Sequence, residues 1–257
     1  MAKKTKNGRT ELGDLMVGAL PTSKDKIKQP EYSELGLIPK INSSTIFSGR
    51  SGSGKSVCLA TLLTKKWGLK GAFDDIYLIS PTGASDDIQK QMGVPKKNVF
   101  TDVMKGIKEV ESVLNDNRSI IEKVGAQHAP KIALIYDDCV GDRDLLRHPM
   151  FIKSFIACRH FNCTTFICTQ SFTRVPRVCR LQATNAIIFA CSQDEIKVLT
   201  ETFTPARYSK KEFADMINEA TREPYSFLYI NWGAKPAERY RRRFDKIMTL
   251  DRLVGEE

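Results

Sequence analysis

The sequence predicts an α/β fold, a mostly parallel central sheet flanked by helices. Three observations lead there: short strands that are apolar throughout, helical stretches between them, and a glycine-rich loop joining the first strand to the first helix. Candidate strands lie at 45–48, 76–80, 132–136, 164–169, 186–190 and 226–230. Most are β-branched or aromatic and lack polar alternation, as strands covered on both faces do. The helical segments are 55–67, 102–124, 148–159, 192–202 and 209–221. Regular alternation of the two types places helices on both faces of the sheet. In such sheets a ligand site opens at the carboxyl ends of the strands.

A chain of 257 residues, 41% hydrophobic and 27% charged, has room for one large α/β domain with arms. The expected organisation is a basic N-terminal arm over residues 1–40, a core over 41–231 and a basic tail over 232–257. Pro21, Pro30 and Pro39 interrupt the arm, and Arg239, Arg241, Arg242, Arg243 and Lys246 mark the tail. The net charge of +10, clustered in this way, favours a polyanionic partner, nucleic acid first.

Seven cysteines, an odd number mostly within apolar stretches, do not make a disulfide framework and fit a reducing compartment. Cys158, Cys163 and Cys168 recur every five residues, without the paired spacing of a zinc site. No apolar run approaches the roughly 18 residues that span a bilayer. The basic start has no apolar stretch behind it, so no secretory signal is expected.

The glycine-rich loop carries the most specific chemistry. Gly49, Arg50, Ser51, Gly52, Ser53, Gly54, Lys55 and Ser56 fit G-x-x-x-x-G-K-[ST] at every fixed position, between a strand and a helix. Glycines let the backbone curl so that successive N–H groups point at phosphates, and the helix N-terminus adds a favourable dipole. Lys55 is expected to reach the β/γ-phosphates and Ser56 to ligate Mg²⁺, with Val57 closing the nucleotide-binding segment. The strand 132–136 then ends in Asp137 and Asp138. Asp137 is the candidate second metal ligand, and Asp138 the group that orients or deprotonates the attacking water.

A further apolar strand ends in Thr169-Gln170, and an amide at such a tip can report a γ-phosphate. After it, Arg174, Arg177 and Arg180 recur at spacing three in a segment read as a loop, suited to a DNA backbone or to a neighbour's nucleotide. Arg159-His160 precedes that strand, and an arginine at a subunit edge can act as a finger on the next subunit's nucleotide. No histidine has a metal-like companion, and no guanine-reading Asn-Lys-x-Asp occurs, so ATP is expected rather than GTP.

The order of these features, from the loop at 49–56 through Ile132–Asp138, Arg159-His160 and Thr169-Gln170 to Arg180 and the strand after Thr184, resembles the genome-packaging ATPases of poxviruses, related large DNA viruses and virophages. These belong to the FtsK–HerA superfamily of RecA-like P-loop NTPases. The resemblance runs over about 41–230. It implies Lys55 and Ser56 on the nucleotide, Asp137 on the metal, Asp138 at the water and Gln170 as γ-phosphate sensor. It also implies Arg159, with Arg180 second, as the finger. The implied assembly is a homo-oligomeric ring of five or six subunits that drives double-stranded DNA into a preformed capsid at its portal vertex. Its expected location is the host cytoplasm, at the viral factory, and the virion. Asp138 stands where the wider superfamily commonly has Glu, and neither a nuclease nor a winged-helix segment is recognisable. A helicase or DNA-segregation translocase of the same superfamily, and a nucleotide-gated capsid-associated switch, stay open as alternatives.

Overall fold

The computed structural model describes residues 27–82, 86–205 and 208–249. Its sheet runs β3-β2-β4-β5-β1-β6-β7-β8-β9. The strands β1 (Ser44–Ser48), β2 (Asp75–Ile79), β3 (Val99–Phe100), β4 (Ile132–Asp137), β5 (Cys163–Thr169) and β6 (Asn185–Ile188) are parallel. The strands β7 (Leu228–Asn231), β8 (Tyr240–Arg242) and β9 (Lys246–Ile247) continue the sheet antiparallel. Every strand expected from the sequence is present, shifted by two residues at most.

Two cores cover the two faces, and β4 shows why no polar alternation was visible. Leu134 and Tyr136 point into one core, Ala133 and Ile135 into the other. The cysteines of β5 divide in the same way, Cys163 on one face and Cys168 on the opposite one. Their five-residue spacing therefore cannot bring them together, and all seven thiols are free.

The helices are α1 (Glu31–Glu34), α2 (Lys55–Thr64), α3 (Asp86–Met92), α4 (Val103–Val124), α5 (Arg143–Arg147), α6 (Pro149–Ile156), α7 (Arg177–Gln182), α8 (Gln193–Phe203) and α9 (Lys210–Ala220). Side-chain caps set several of the starts. Asp102 accepts from the Lys105 N–H, Ser192 from Glu195, and Ser209 with Glu212 forms a capping box. Among the described residues no helix is long and apolar enough to cross a membrane.

Three expectations change. The helix expected over 148–159 stops at Ile156, and Cys158–Phe161 turns tightly into β5. Asn162 ends that turn: it is fully buried in the left-handed region, and its amide donates to the carbonyls of Ala126, Ala129 and Pro130. The segment read as a loop over 171–180 is instead a 3₁₀ turn, Phe172–Arg174, followed by α7, whose start Pro176 presets. Finally, the boundaries at 40 and 232 fall within packed structure. Gln29 bridges the N–H and C=O of Ile41, Ile38 is buried, and Asn231 donates to Gly36 O. Residues 240–247 form the edge hairpin, where Arg242 and Arg243 pair with Glu223 and Arg239 stacks on Trp232. The rest of the expected arm and tail, 1–26 and 250–257, lies outside the described residues.

For the site, one feature of the order matters most. Strand β5 sits between β1 and β4. Neighbouring strands lie about 4.8 Å apart. The loop after β1, Gln170 after β5 and the acid pair after β4 therefore emerge side by side.

Candidate nucleotide-binding site

The loop after β1 hugs its neighbours. The Gly49 N–H donates to Thr169 O (3.2 Å) and the Arg50 N–H to Ala190 O (3.2 Å). A Cβ on Gly49 would lie 2.6 Å from Phe189 Cβ, so only glycine allows this approach. Gly54, with φ +99°, turns the chain left-handed into the N-terminus of α2. The buried Lys55 folds back along the loop, its Nζ donating to Gly49 O (2.7 Å) and Arg50 O (2.9 Å). Burial pushes its pKa down, while Cys168, Asp138 and Asp137 oppose the shift. Ser56 is half-buried and Val57, next to it in the first turn of α2, is exposed.

At the end of β4, burial lifts the Asp137 carboxyl to about 6, its neighbour Asp138 adds to the rise, and Lys55 opposes it. Asp138 has left-handed backbone (φ +55°) and donates its N–H to Cys168 O (2.9 Å). Its carboxylate accepts a hydrogen bond from Gln170 Nε2. Asp tolerates left-handed backbone better than longer side chains do, which gives a local reason for Asp rather than Glu here.

A cavity of about 1170 Å³ unites these groups. Ser51, Gly52, Lys55, Ser56, Asp137, Asp138 and Gln170 line one end. The other end is largely apolar, lined by Tyr32, Leu37, Trp67, Phe227 and Phe244, with Arg243 and Asp245 flanking Phe244. No sequence signal marked this second group as a site: Tyr32 and Leu37 come from the expected arm, Trp67 lies just past α2, Phe227 was read only as part of a strand and Phe244 only as part of the tail.

Glu195 also went unread. It accepts from Ser171 Oγ (3.2 Å), Thr173 N–H (3.1 Å) and Thr173 Oγ (3.1 Å), pinning the turn after Gln170 to the start of α8. Neither candidate finger lines the cavity of its own chain. Arg159 is exposed in the turn before β5, at the opposite end of the sheet from the site. Arg180 is half-buried, its guanidinium 5.5 Å from the Phe172 ring centre, and burial lowers its pKa. Arg174 and Arg177 are exposed.

The pattern of the poxvirus A32 protein matches residues 39–230, which hold the whole phosphate end of this site. The chain belongs to that family. Among solved structures it is similar to the DNA-packaging ATPase from Sulfolobus turreted icosahedral virus, at 18% identity and a TM-score of 0.54, over 80% of this chain and 98% of that one. The genome packaging NTPase from Sulfolobus turreted icosahedral virus 2, in complex with AMPPCP, gives 15% identity and a TM-score of 0.55 over 80% and 99%. The cytoplasmic domain of the Thermomonospora curvata type VII secretion ATPase gives 8% identity and a TM-score of 0.50, covering 80% of this chain and 24% of that one. At such identities these likenesses speak for the P-loop ATPase fold. No curated protein sequence matches the chain.

Proposed function

We propose that this A32-family chain is a Mg²⁺-dependent ATPase that drives double-stranded DNA into a viral capsid. The observation that carries the reading is the meeting of the phosphate loop, the acid pair and Gln170 at one end of one cavity. The fold's likeness to viral packaging ATPases supports it.

Lys55 is positioned to exchange its two loop carbonyls for phosphate oxygens, which compensate a buried ammonium better than neutral acceptors do. Magnesium fits the donors present. The Ser56 hydroxyl and the Asp137 carboxylate are hard oxygen ligands, and two neighbouring carboxylates face the single cation of Lys55, whose ammonium donates to the loop carbonyls rather than to either acid. Bound there, the ion would neutralise phosphate charge.

Gln170 has two amide hydrogens. One is given to Asp138; the other is free for a γ-phosphate oxygen. Binding of that phosphate would fix Gln170 and, through it, the carboxylate that takes the proton from the attacking water. The chain's own Arg159 is too remote for this site, so a finger role for it requires a neighbouring subunit. Arg180 would first have to leave Phe172.

The exposed Arg174 and Arg177 follow Gln170 directly and suit the DNA backbone. We place the protein in a homo-oligomeric ring of five or six copies at the portal vertex, in the cytoplasmic viral factory and the virion. The test is steady-state ATP turnover of the purified protein with and without double-stranded DNA, together with its assembly mass. DNA-stimulated turnover by a ring is the expected result. Turnover indifferent to DNA in a monomer would overturn the motor reading. DNA affinity should also fall steeply with salt, as phosphate contacts do.

A further inference from the structure

We infer that the apolar end of the cavity is a stacking seat for the nucleotide base, built by Tyr32, Trp67 and Phe244, and that it holds purines by their faces with little discrimination between them. The inference rests on the reading of the phosphate end as a nucleotide site and adds the part of the ligand that site leaves unassigned.

The cavity, at about 1170 Å³, is far larger than a triphosphate needs and continues without a break past the loop. Its second half follows α2. Val57, Cys58 and Thr61 line it on one face of that helix, and Trp67 lies just beyond the helix end. Ten residues of helix span about 15 Å, a length that suits a base carried beyond a bound triphosphate.

A chain of aromatic rings runs along this part of the cavity. Phe189 and Phe227 are 5.1 Å apart, Phe227 and Phe244 5.0 Å, and Phe244 and Trp67 6.0 Å. The inner rings are buried, yet Trp67 and Tyr32 stay 36% and 40% exposed. Val57, at 57%, is open on the same cavity. Large apolar side chains left bare around a concave site beside a phosphate loop call for a flat apolar occupant attached to that phosphate.

The charged groups at this end are already engaged. Arg243 pairs with Glu223 (3.5 Å), and the Asp245 carboxylate accepts the Lys246 N–H (3.0 Å). With those partners kept, recognition rests mostly on π-faces, which every base has.

The seat joins parts far apart in the chain. Tyr32 belongs to the strap of residues 27–40 and Phe244 to the turn between β8 and β9. An occupied seat would hold both against α2.

The chain has two tryptophans, so Trp232→Phe leaves Trp67 as the sole tryptophan emitter. In that protein, ATP and GTP should both change Trp67 emission, with affinities within about tenfold of each other. Inorganic tripolyphosphate should displace ATP but leave the emission unchanged. Trp67→Ala, measured by calorimetry, should weaken ATP about tenfold, as loss of one stacking partner does, and leave tripolyphosphate within about twofold. Tyr32→Ala, at an exposed position with little bearing on folding, should act in the same direction.

Emission blind to bound ATP overturns the seat. So does equal weakening of ATP and tripolyphosphate by both variants, or a preference between purines beyond about a hundredfold. If the parent protein binds tripolyphosphate but its ATP affinity is no greater, the seat alone fails. If it binds neither, the nucleotide reading fails and takes the seat with it.

Discussion

The two ends of the cavity are built on opposite plans. At the phosphate end the ligand groups sit on one contiguous loop from Gly49 to Ser56 and at the tips of the two strands beside it, at Asp137, Asp138 and Gln170. At the base end they are side chains at 32, 67 and 244, brought together only by the folded sheet and its edge hairpin. Backbone geometry demands particular residues at fixed spacing, since a Cβ at Gly49 would strike Phe189. A stacking surface demands only flat apolar area, which many residues at many places can supply. The phosphate end should therefore fail sharply on substitution, and the base end by degrees.

The largest effect expected from that contrast is at Lys55. Lys55→Ala should lower ATP turnover by about a thousandfold or more while the melting temperature stays within a few degrees. Loop carbonyls take two of its ammonium's three hydrogens, and burial penalises its charge, so the fold gains little from it. Steady-state turnover beside a thermal melt checks both halves. A melt that collapses with activity would show that the phosphate end is also a structural keystone.

Next comes Asp138. Asp138→Asn keeps a side chain that accepts left-handed backbone and can still take the hydrogen bond from Gln170, but it removes the proton acceptor. Turnover should fall about a hundredfold, within the range of general-base losses, with ATP affinity little changed. Asp138→Glu should keep the charge yet lose part of both rate and stability, because Glu is disfavoured at φ +55°. Single-turnover rates with filter-binding affinities separate the two. A fully active Glu variant would remove backbone conformation as the reason for Asp at this position.

What the sequence disclosed follows the same division. The strand ends were legible because Asp137, Asp138 and Gln170 interrupt apolar runs where solvent or ligand begins, and the order of strands brings them together. The helical segments expected from 102, 192 and 209 do start there, where Asp102, Ser192 and Ser209 cap them. The hairpin of β8 and β9 was not, because its arginines read as a solvated tail while they pair with Glu223 or lie on Trp232. Glu195 was invisible for a related reason. Its three acceptor contacts reach back to Ser171 and Thr173, and no local spacing announces them.

A smaller effect, on stability and opposite in sign to the loss of function, is expected at Asp137. Its carboxyl is lifted to about 6, above the ordinary carboxylate range, so the folded state holds that proton more tightly than the unfolded chain does. The sign follows by linkage: the metal-free fold loses stability as pH rises from about 4 through 6, and nothing is lost below about 4. Asp137→Asn should remove that loss. At pH 7 in chelator it should be more stable than the parent by about 1–2 kcal/mol, converging with it near pH 4, while its turnover collapses. Denaturant melts at the two pH values decide it. A stabilisation that persists unchanged at pH 4 would mean that something other than this carboxyl is responsible.

The smallest effect bears on where one end stops and the other begins. Tyr225 has left-handed backbone (φ +59°), is 71% exposed, and lays its ring so close to the loop that a Cβ on Gly54 would come 3.2 Å from it. An aromatic residue held there costs about 1 kcal/mol and recovers little by burial. Tyr225→Gly should accordingly stabilise the fold by up to about 1 kcal/mol, less the entropy glycine adds to the unfolded chain. If Tyr225 serves the phosphate end, as its contact with Gly54 argues, the variant should weaken ATP and tripolyphosphate alike, by about twofold to fivefold. If it weakens ATP alone, the stacking surface reaches over the loop itself, and the boundary between the two plans lies at Gly54 rather than at Val57.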